Sequence, residues 1–397
     1  MKKFLAILLA AIMVIPMFAA CNEGGSDKGG YKVAMITDYG DITDESFNQT
    51  TYEACKEFCE ANKIDFKYYK PAGDSTPERV AQVEAAIDEG YNIIVMPGFA
   101  FAGTIYEVQD KEEYKDVKFI ALDVSQFDVE DQFYNHDDNF QRTDLIDANN
   151  EPHVSKNVYC CVYQEELCGY MAGYAAVKLG YKLLGFLGGM AVPAVTRYGY
   201  GFVQGCDAAA VEMNIADQVT VEYVYGNKFF GTPEITAVMD TWYQEKKVEV
   251  VFACGGGIYA SAVEAAVKVE GAKVIGVDVD VDQSATINKL AEGKEITVTS
   301  AMKGLAATVK AKLQVVLDGK WDTIGGQVET LGLISGDDPL VNYVQIPMET
   351  TQWADGFTKD NYKELVKKMF DKTIKVDNSI EKIPATTITV NSYDNIM

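Results

Sequence analysis

Strand and helix patterns alternate along most of this 397-residue chain, and the alternation restricts the folds open to it. Short apolar runs rich in Val and Ile are each followed by a longer amphipathic run. Repeated βαβ units predict parallel sheets with right-handed crossovers, so we expect an α/β protein. The predicted strands cover residues 32–36, 64–69, 92–96 and 118–122 in the first half, and residues 158–163, 182–187, 219–225, 249–253, 273–277 and 296–299 in the second.

The alternation stops once, over residues 127–156, and this break leaves two similar α/β halves. The interrupting segment is acidic and contains both histidines, so we interpret it as an irregular surface insertion; a lid over a ligand is the alternative. The halves predict two Rossmann-like lobes with parallel sheets, a hinge and a central cleft. We place the N-terminal lobe at residues 31–157 plus roughly 301–335, and the C-terminal lobe at residues 158–300 plus roughly 336–397.

The first twenty residues have the organisation of a signal peptide. Two lysines precede an apolar run, and two alanines stand just before Cys21. This ending resembles a bacterial lipobox, with Phe18 where Leu is usual. We predict removal of residues 1–20, a lipid on Cys21, and a flexible tether over residues 21–30. A retained membrane anchor and plain secretion are the alternatives.

Charge and cysteine content argue against several kinds of site. Without the two leader lysines the chain has 33 basic and 59 acidic residues, a net charge of −26. That balance argues against nucleic acid as a partner, because phosphate binding needs a basic surface. Seven cysteines remain after Cys21, without a CxxC pair, and we predict them to be small buried residues. With two histidines in the chain, we predict no metal site, no cofactor and no His-based triad.

The loop between the first predicted strand and the first predicted helix carries much of the expected binding chemistry. Asp38 stands at the carboxyl end of the strand, the edge where open α/β sheets bind ligands. The spacing of Ser46 and Gln49 predicts a capping box, which places Phe47 and Asn48 in the first helical turn. An acid, an aromatic ring and an amide therefore converge on a crevice suited to a small polar molecule with a flat ring.

A glycine-rich turn in the second half admits two interpretations. The run from Gly255 to Ala260 fits the G-x-G-x-x-A dinucleotide fingerprint, and Asp278 ends the next strand. We favour a turn that brings a helix N-terminus close to another ligand, because the leader exports the chain away from pyridine nucleotides. The acids from Asp278 to Asp282 lack the glycine and glutamate of an EF-hand loop. Paired cleft carboxylates that cleave glycosides stay open as an enzymatic alternative.

Seven segments of the chain, in order and spacing, resemble the basic membrane protein family of substrate-binding lipoproteins, the receptors of ABC-type importers. They are residues 36–49, 96–99, 117–123, 185–189, 254–257, 274–280 and 299–303. The resemblance implies the two-lobed architecture of type I periplasmic binding proteins. The best-understood members resemble purine-nucleoside receptors, and a riboflavin-binding branch also exists.

The resemblance implies, position by position, how a base would be held. Phe47 and a second aromatic side chain would stack on its two faces. The second is Phe230, because the Phe-Gly-Thr-Pro sequence that it begins resembles the family's Phe-x-Asp-Pro turn. Asn48 and Asp38 would contact the base edge or nearby polar atoms, and the glycine run near Gly256 would admit the ring by close approach of the backbone.

The resemblance also implies how a sugar would be held. Asp123, Asp278 and Lys303 would bind the ribose hydroxyls, with one of the two acids in each lobe. The acidic run continues to Asp280 and beyond, so whether Asp278 or Asp280 faces the cleft stays open.

The expected function is a lipid-anchored receptor on the extracytoplasmic face of the cell membrane. It would capture a nucleoside, a purine before a pyrimidine, and deliver it to an ABC permease; no enzymatic activity is expected. Three alternatives stay open: a receptor for another flat or sugar-like solute such as riboflavin, an exported nucleoside or glycoside hydrolase, and a sensory module for a membrane partner.

Replacement of Cys21 by Ala should move the protein from the membrane fraction to the soluble fraction, because the change removes the residue that would carry the lipid. Fractionation of cells that produce each form, followed by immunoblotting, measures the difference. A Cys21→Ala protein that stays with the membranes would contradict lipid anchoring.

Overall fold

The computed structural model describes residues 30–136 and 154–396, and its first sheet is entirely parallel. Six strands form this sheet: β1 (Lys32–Ile36), β2 (Asp65–Tyr69), β3 (Ile93–Pro97), β4 (Lys118–Leu122), β5 (Val158–Tyr163) and β11 (Gln327–Leu331). Their order is β11-β5-β4-β3-β1-β2. All residues of β3 are buried, as expected of a parallel strand covered by helices on both faces.

The second sheet has seven strands and is parallel except at one edge. They are β6 (Leu183–Gly188), β7 (Thr220–Tyr225), β8 (Val250–Cys254), β9 (Lys273–Asp278), β10 (Thr297–Lys303), β12 (Val344–Gln345) and β13 (Thr389–Ser392). Their order is β12-β10-β9-β8-β6-β7-β13, and the short β12 runs antiparallel to β10. The two parallel sheets confirm the predicted α/β class.

Helices cover the sheets, and none of those in the described residues combines the length and apolar character needed to cross a membrane. They are α1 (Phe47–Asn62), α2 (Thr76–Asp88), α3 (Ala102–Val108), α4 (Gln126–His136), α5 (Glu165–Lys178), α6 (Pro193–Glu212), α7 (Pro233–Gln244), α8 (Tyr259–Ala266), α9 (Ala285–Leu290), α10 (Leu305–Leu317) and α11 (Lys359–Phe370). We call the first sheet with α1–α4 and α10 the first lobe, and the second sheet with α5–α9 and α11 the second lobe.

The predicted lobe boundary is wrong for one strand. Residues 158–163 were expected in the C-terminal lobe, but β5 pairs with β4 and β11 in the first sheet. The prediction took the break in the pattern as a crossing between lobes, whereas the chain crosses only after β5. An apolar strand pattern shows that a strand is buried without showing which sheet it joins.

The predicted insertion is also partly wrong, because its first part is helical. Residues 127–156 were expected to be irregular, but α4 covers Gln126–His136. Ser125 starts this helix: its backbone N–H donates to the Asp128 carboxylate at 2.8 Å, and its hydroxyl accepts from the Asp128 N–H at 3.1 Å. The rest of the predicted insertion lies outside the described residues, as does the leader with Cys21.

The cysteines of the described residues are buried and form no disulfide, which confirms the prediction of small buried residues. They are Cys55, Cys59, Cys160, Cys161, Cys168, Cys206 and Cys254. Burial raises the pKa of the Cys161 thiol to about 12. No group of three His, Cys, Asp or Glu side chains within residues 30–136 and 154–396 is arranged to hold a metal ion.

Helices α5 and α6 pack with their backbones almost in contact, because each presents two glycines to the other. A Cβ atom added to Gly169 or Gly173 would lie 2.3 or 2.2 Å from a backbone oxygen of α6. One added to Gly201 or Gly205 would lie 2.1 Å from a backbone oxygen of α5. This contact fixes the first half of α5 against the middle of α6.

Replacement of Gly173 by Ala should lower the free energy of unfolding by about 2 kcal/mol. Overpacking against a rigid backbone costs about 3 kcal/mol, and the better helix propensity of Ala returns about 1 kcal/mol. Urea unfolding followed by circular dichroism measures the change. Val211→Ala, on the exposed face of α6, is the control and should stay within about 0.5 kcal/mol of the parent. Equal stability of the Gly173→Ala protein and the parent would show that the helices separate easily.

Candidate ligand-binding site

A cavity of about 540 Å³ lies where the carboxyl ends of strands from both sheets meet. Its volume falls within the range of about 300–1,000 Å³ that is usual for small-molecule sites. The residues predicted to bind the ligand all line it: Asp38, Phe47, Asn48, Asp123, Phe230, Gly256, Asp278 and Lys303. The fold therefore brings these eight residues together, and the contact that each makes with a ligand stays a prediction.

Asp38, directly after β1, is held in place by the loop that follows it. Its Oδ1 atom accepts hydrogen bonds from the N–H of Tyr39 at 2.6 Å, from the N–H of Gly40 at 2.7 Å, and from Asn48 Nδ2 at 3.2 Å. Burial raises the pKa of Asp38, and these hydrogen bonds oppose the rise. The Oδ1 atom of Asn48 is buried without a hydrogen-bond partner among the described residues.

Helix α1 begins where it was predicted to begin, but the predicted capping box of Ser46 and Gln49 is wrong. Ser46 makes no side-chain hydrogen bond to the helix. The Asp44 carboxylate caps it instead, accepting at 2.9–3.0 Å from the N–H groups of Ser46, Asn48 and Gln49. Because an acid two residues earlier reaches these N–H groups, the Ser46 hydroxyl is released to donate to Asp278 Oδ2 at 2.9 Å, across to the second lobe.

Lys303, the last residue of β10, is the centre of a buried charge cluster. Its side chain is 3% exposed, and three carboxylates surround its Nζ atom: Asp123 at 2.5 Å, Asp278 at 3.5 Å and Glu165 at 3.6 Å. Burial acts against the positive charge, but the three carboxylates outweigh it and raise the pKa of Lys303 above its usual value. Lys303 is therefore charged at neutral pH, and its contact with Asp123 joins the two lobes.

Asp123 and Asp278 occupy matching positions in the two lobes, at the ends of β4 and β9. Both have left-handed backbone angles, with φ of 59° and 65°, which is uncommon for residues other than glycine. Burial raises the pKa of Asp123 to about 6, although the charge of Lys303 lowers it. Asp123 Oδ1 is buried and has no hydrogen-bond partner among the described residues.

Of the acids that begin at the end of β9, Asp278 and not Asp280 faces the cavity. Asp278 lines the cavity and accepts from Ser46 of the first lobe. Asp280 is not among the lining residues, and its Oδ2 atom accepts from the Thr350 hydroxyl at 2.8 Å. Thr232 stands at the Asp position of the family's Phe-x-Asp-Pro turn, and its hydroxyl caps α7 by accepting from the Ile235 N–H at 3.3 Å, as an Asp would.

Arg197 and Glu165 belong to the same cluster and were missed by the sequence reasoning. Arg197 lines the cavity, and its Nε donates to Glu165 Oε2 at 2.6 Å, while the other Glu165 oxygen faces Lys303. A signal was present: Arg197 is the one charged residue between Val192 and Asp207 in a strongly apolar helix.

Aromatic side chains from both lobes line the cavity. Phe47 is partly buried, and Lys303 Nζ lies 4.9 Å from the centre of its ring. Phe230, the predicted second aromatic, is 53% exposed. Phe229, which was not predicted, also lines the cavity and packs on the glycine turn: a Cβ atom on Gly255 would lie 2.8 Å from its ring. The turn at Gly256 thus accommodates the Phe229 backbone as well as bordering the cavity.

Replacement of Lys303 by Met should lower the free energy of unfolding by about 3–5 kcal/mol at about pH 8, because it leaves buried Asp123 and Asp278 without their cation. The pKa of Asp123, already about 6, should rise further without that charge. When the pKa of a carboxyl is higher in the folded state than in the unfolded state, its protonation stabilises the folded state, and this stabilisation is lost as the pH rises through the folded-state pKa. The loss of unfolding free energy caused by Lys303→Met should therefore be smaller at about pH 5.5 than at about pH 8.

Urea unfolding at both pH values measures these differences. Lys310→Met, which removes an exposed lysine paired with Glu57, is the control and should change little. A Lys303→Met protein with a defect of equal size at both pH values would contradict the role of Lys303 as the counter-charge of the cluster.

Comparison with known proteins agrees with the fold. The chain is 23% identical over 355 residues to the ABC transporter nucleoside-binding protein BmpA of Lactococcus lactis. This match covers 84% of this chain and 90% of BmpA. It is 25% identical over 371 residues to basic membrane protein A of Borreliella afzelii, covering 90% and 99% of the two chains.

A solved ABC transporter solute-binding protein from Conexibacter woesei has the same fold, with a TM-score of 0.62 at 20% identity, covering 88% of this chain and 99% of that one. This likeness gives the chain the type I periplasmic-binding-protein architecture. Residues 31–387 match the Bmp family, described as PnrA-like ABC transporter substrate-binding proteins. The chain therefore belongs to the Bmp family of ABC transporter substrate-binding proteins.

Proposed function

We propose that this substrate-binding protein captures a nucleoside, a purine nucleoside before a pyrimidine, and delivers it to an ABC permease. One observation carries the proposal: a single cavity joins aromatic side chains from both lobes to a buried cluster of carboxylates around Lys303. A flat base and a hydroxylated sugar are the two chemical groups that such a cavity suits together. The Lactococcus relative is named for nucleoside binding, which supports the same choice.

The aromatic part of the cavity would hold the base. Phe47 lies on the first-lobe side and Phe230 on the second-lobe side, so a ring bound between the lobes has an aromatic partner available from each. Stacking of a base on an aromatic side chain contributes about 1–3 kcal/mol. Asp38 and the unpartnered Asn48 oxygen can accept hydrogen bonds from ring N–H or amino groups at the base edge.

The charge cluster would hold the sugar. Vicinal hydroxyls donate well to carboxylates, and Asp123 Oδ1 is an unfilled buried acceptor. Each hydrogen bond to a charged group contributes roughly 1.5–3 kcal/mol. One stacked base and two such bonds approach the roughly −8 kcal/mol of micromolar binding once the ordering costs are subtracted. Asp123, Asp278 and Glu165 outnumber Lys303 and Arg197, so the cluster disfavours a phosphate group.

We also propose that a lipid on Cys21 holds the receptor at the extracytoplasmic face of the cell membrane. Relatives from Pyrococcus abyssi and Pyrococcus horikoshii are named lipoproteins, which supports the anchor predicted from the leader. The acidic mature chain fits a role away from nucleic acid.

Replacement of Phe47 by Ala should weaken nucleoside binding by about 1–3 kcal/mol, because one stacking surface is lost, whereas Phe47→Tyr should nearly preserve binding. Isothermal titration with adenosine measures both. Tyr52→Ala, on the outer side of α1 against Phe66 and Tyr68, is the aromatic control and should bind as the parent does. Equal affinities of the parent and the Phe47→Ala protein would remove Phe47 from the site.

Adenosine should bind more tightly than 2′-deoxyadenosine, and both more tightly than adenine. A missing hydroxyl leaves a buried carboxylate underpaired, which costs about 1–3 kcal/mol. Asp278→Asn should narrow the gap between adenosine and deoxyadenosine, since it removes a charge that faces the cavity. The control is Asp280→Asn, outside the cavity, which should keep the gap. Equal affinities of the parent protein for adenosine, 2′-deoxyadenosine and adenine would contradict the nucleoside proposal.

A further inference from the structure

The carboxylate of Glu45 makes a group of hydrogen bonds between the two lobes. Glu45 lies on the first-lobe loop between β1 and α1, and its partners stand at the start of α9 in the second lobe. Its oxygens accept from the backbone N–H of Thr286 at 3.1 and 3.2 Å, and Oε1 accepts from the Thr286 hydroxyl at 2.8 Å. The Ser284 hydroxyl also donates to Glu45.

The loop that carries Glu45 is fixed on the first-lobe side. Its N–H donates to Gln49 Oε1 in α1 at 2.9 Å, and the neighbouring Asp44 caps the same helix. Glu45 has a left-handed backbone angle, with φ of 49°, which is uncommon for a residue of this type and turns the chain just before the helix. The next residue, Ser46, bonds to Asp278, so two consecutive residues of this loop contact the second lobe.

The partner segment borders the cavity. Thr286 is one of the lining residues, and the Ser284 hydroxyl accepts from the Ile287 N–H at 3.0 Å, which fixes the first turn of α9. Asp44, next to Glu45, lines the cavity from the other side. The bonds between Glu45 and the start of α9 therefore close the wall of the cavity at a point where the two lobes meet.

We propose that Glu45 is a positioning residue that holds the lobes closed over a bound ligand and so determines how slowly the ligand leaves. This proposal rests on one part of the proposed function, namely that the cavity binds a ligand between the two lobes. A ligand enclosed in this way dissociates after the bonds from Ser284 and Thr286 break, so their loss acts on the dissociation rate more than on the association rate.

The ionised form of Glu45 suits this role. Burial acts to raise the pKa of Glu45, but the hydrogen bonds from Ser284 and Thr286 outweigh it and lower the pKa below the usual value. The carboxylate is therefore charged at neutral pH and accepts from all three donors. Hydrogen bonds to an ionised acceptor are roughly twice as strong as those between neutral groups.

Stopped-flow measurement of adenosine binding separates retention from capture. Glu45→Ala should raise the dissociation rate about tenfold and change the association rate by less than about twofold. Glu45→Gln keeps one acceptor oxygen and should show a smaller increase, about threefold. Thr286→Val should raise the dissociation rate in the parent background and have less effect in the Glu45→Ala background, because the two residues act through one contact. The control is Glu57→Ala, an exposed acid paired within the first lobe.

Hydrogen exchange of the ligand-free proteins tests the same contact without adenosine. The peptide that contains Thr286 should exchange faster in Glu45→Ala than in the parent or in Glu57→Ala, because its N–H loses an acceptor. Unchanged exchange of this peptide, or an unchanged dissociation rate, would overturn the proposal. A parent protein that fails to bind adenosine would count against the nucleoside proposal, and the exchange comparison would then decide the role of Glu45 alone.

Discussion

The charge of one buried lysine makes the closed arrangement of this protein possible. Lys303 neutralises part of a cluster in which three carboxylates lie away from water. Buried carboxylates without a cation are strongly destabilising, so the ends of β4, β9 and β10 and the start of α5 can meet only around that charge. Because Asp123 belongs to the first lobe and Lys303 to the second, the ion pair that stabilises the cluster also holds the two halves of the cavity together.

The supporting structure is arranged around this cluster. Glycines at facing positions let α5 and α6 approach until their backbones nearly touch, and this contact places Glu165 at the start of one helix beside Arg197 in the first turns of the other. The result is a rigid polar end of the cavity with an excess of acceptors. The side chains of Asn48 and Asp123 each have one oxygen without a hydrogen-bond partner among the described residues. The amide nitrogen of Asn48 donates to Asp38 within the protein. A neutral ligand with N–H and O–H donors complements such a surface better than an anion does.

Strand ends and glycine turns have strong local patterns, so they predicted the fold class and the acids and glycines around the cavity. Phe230 and Lys303 came from the family resemblance, and the sequence reasoning missed Arg197 and Phe229. It failed where the outcome depends on contacts between distant segments. The capping box at Ser46 was locally reasonable, but Asp44 reaches the same N–H groups and the serine finds a buried acceptor in the other lobe. The strand β5 was assigned to the second lobe, but it pairs with β4 in the first sheet. The apolar sequence of a strand that is buried on both faces is the same in either sheet, so it does not show which sheet the strand joins.

The most direct test of the account is to offer the protein a choice of ligands. The refolded protein is mixed with equal concentrations of adenosine, adenine, ribose, adenosine monophosphate and riboflavin, separated from free solute, and its retained ligand is identified by mass spectrometry. We predict retention of adenosine, recovered intact, in clear excess over the rest. Retention of ribose, riboflavin or the monophosphate in preference to adenosine would contradict a receptor that binds a base and a neutral ribose together. Recovery of adenosine as free base and sugar would instead indicate an enzyme and would also contradict the account.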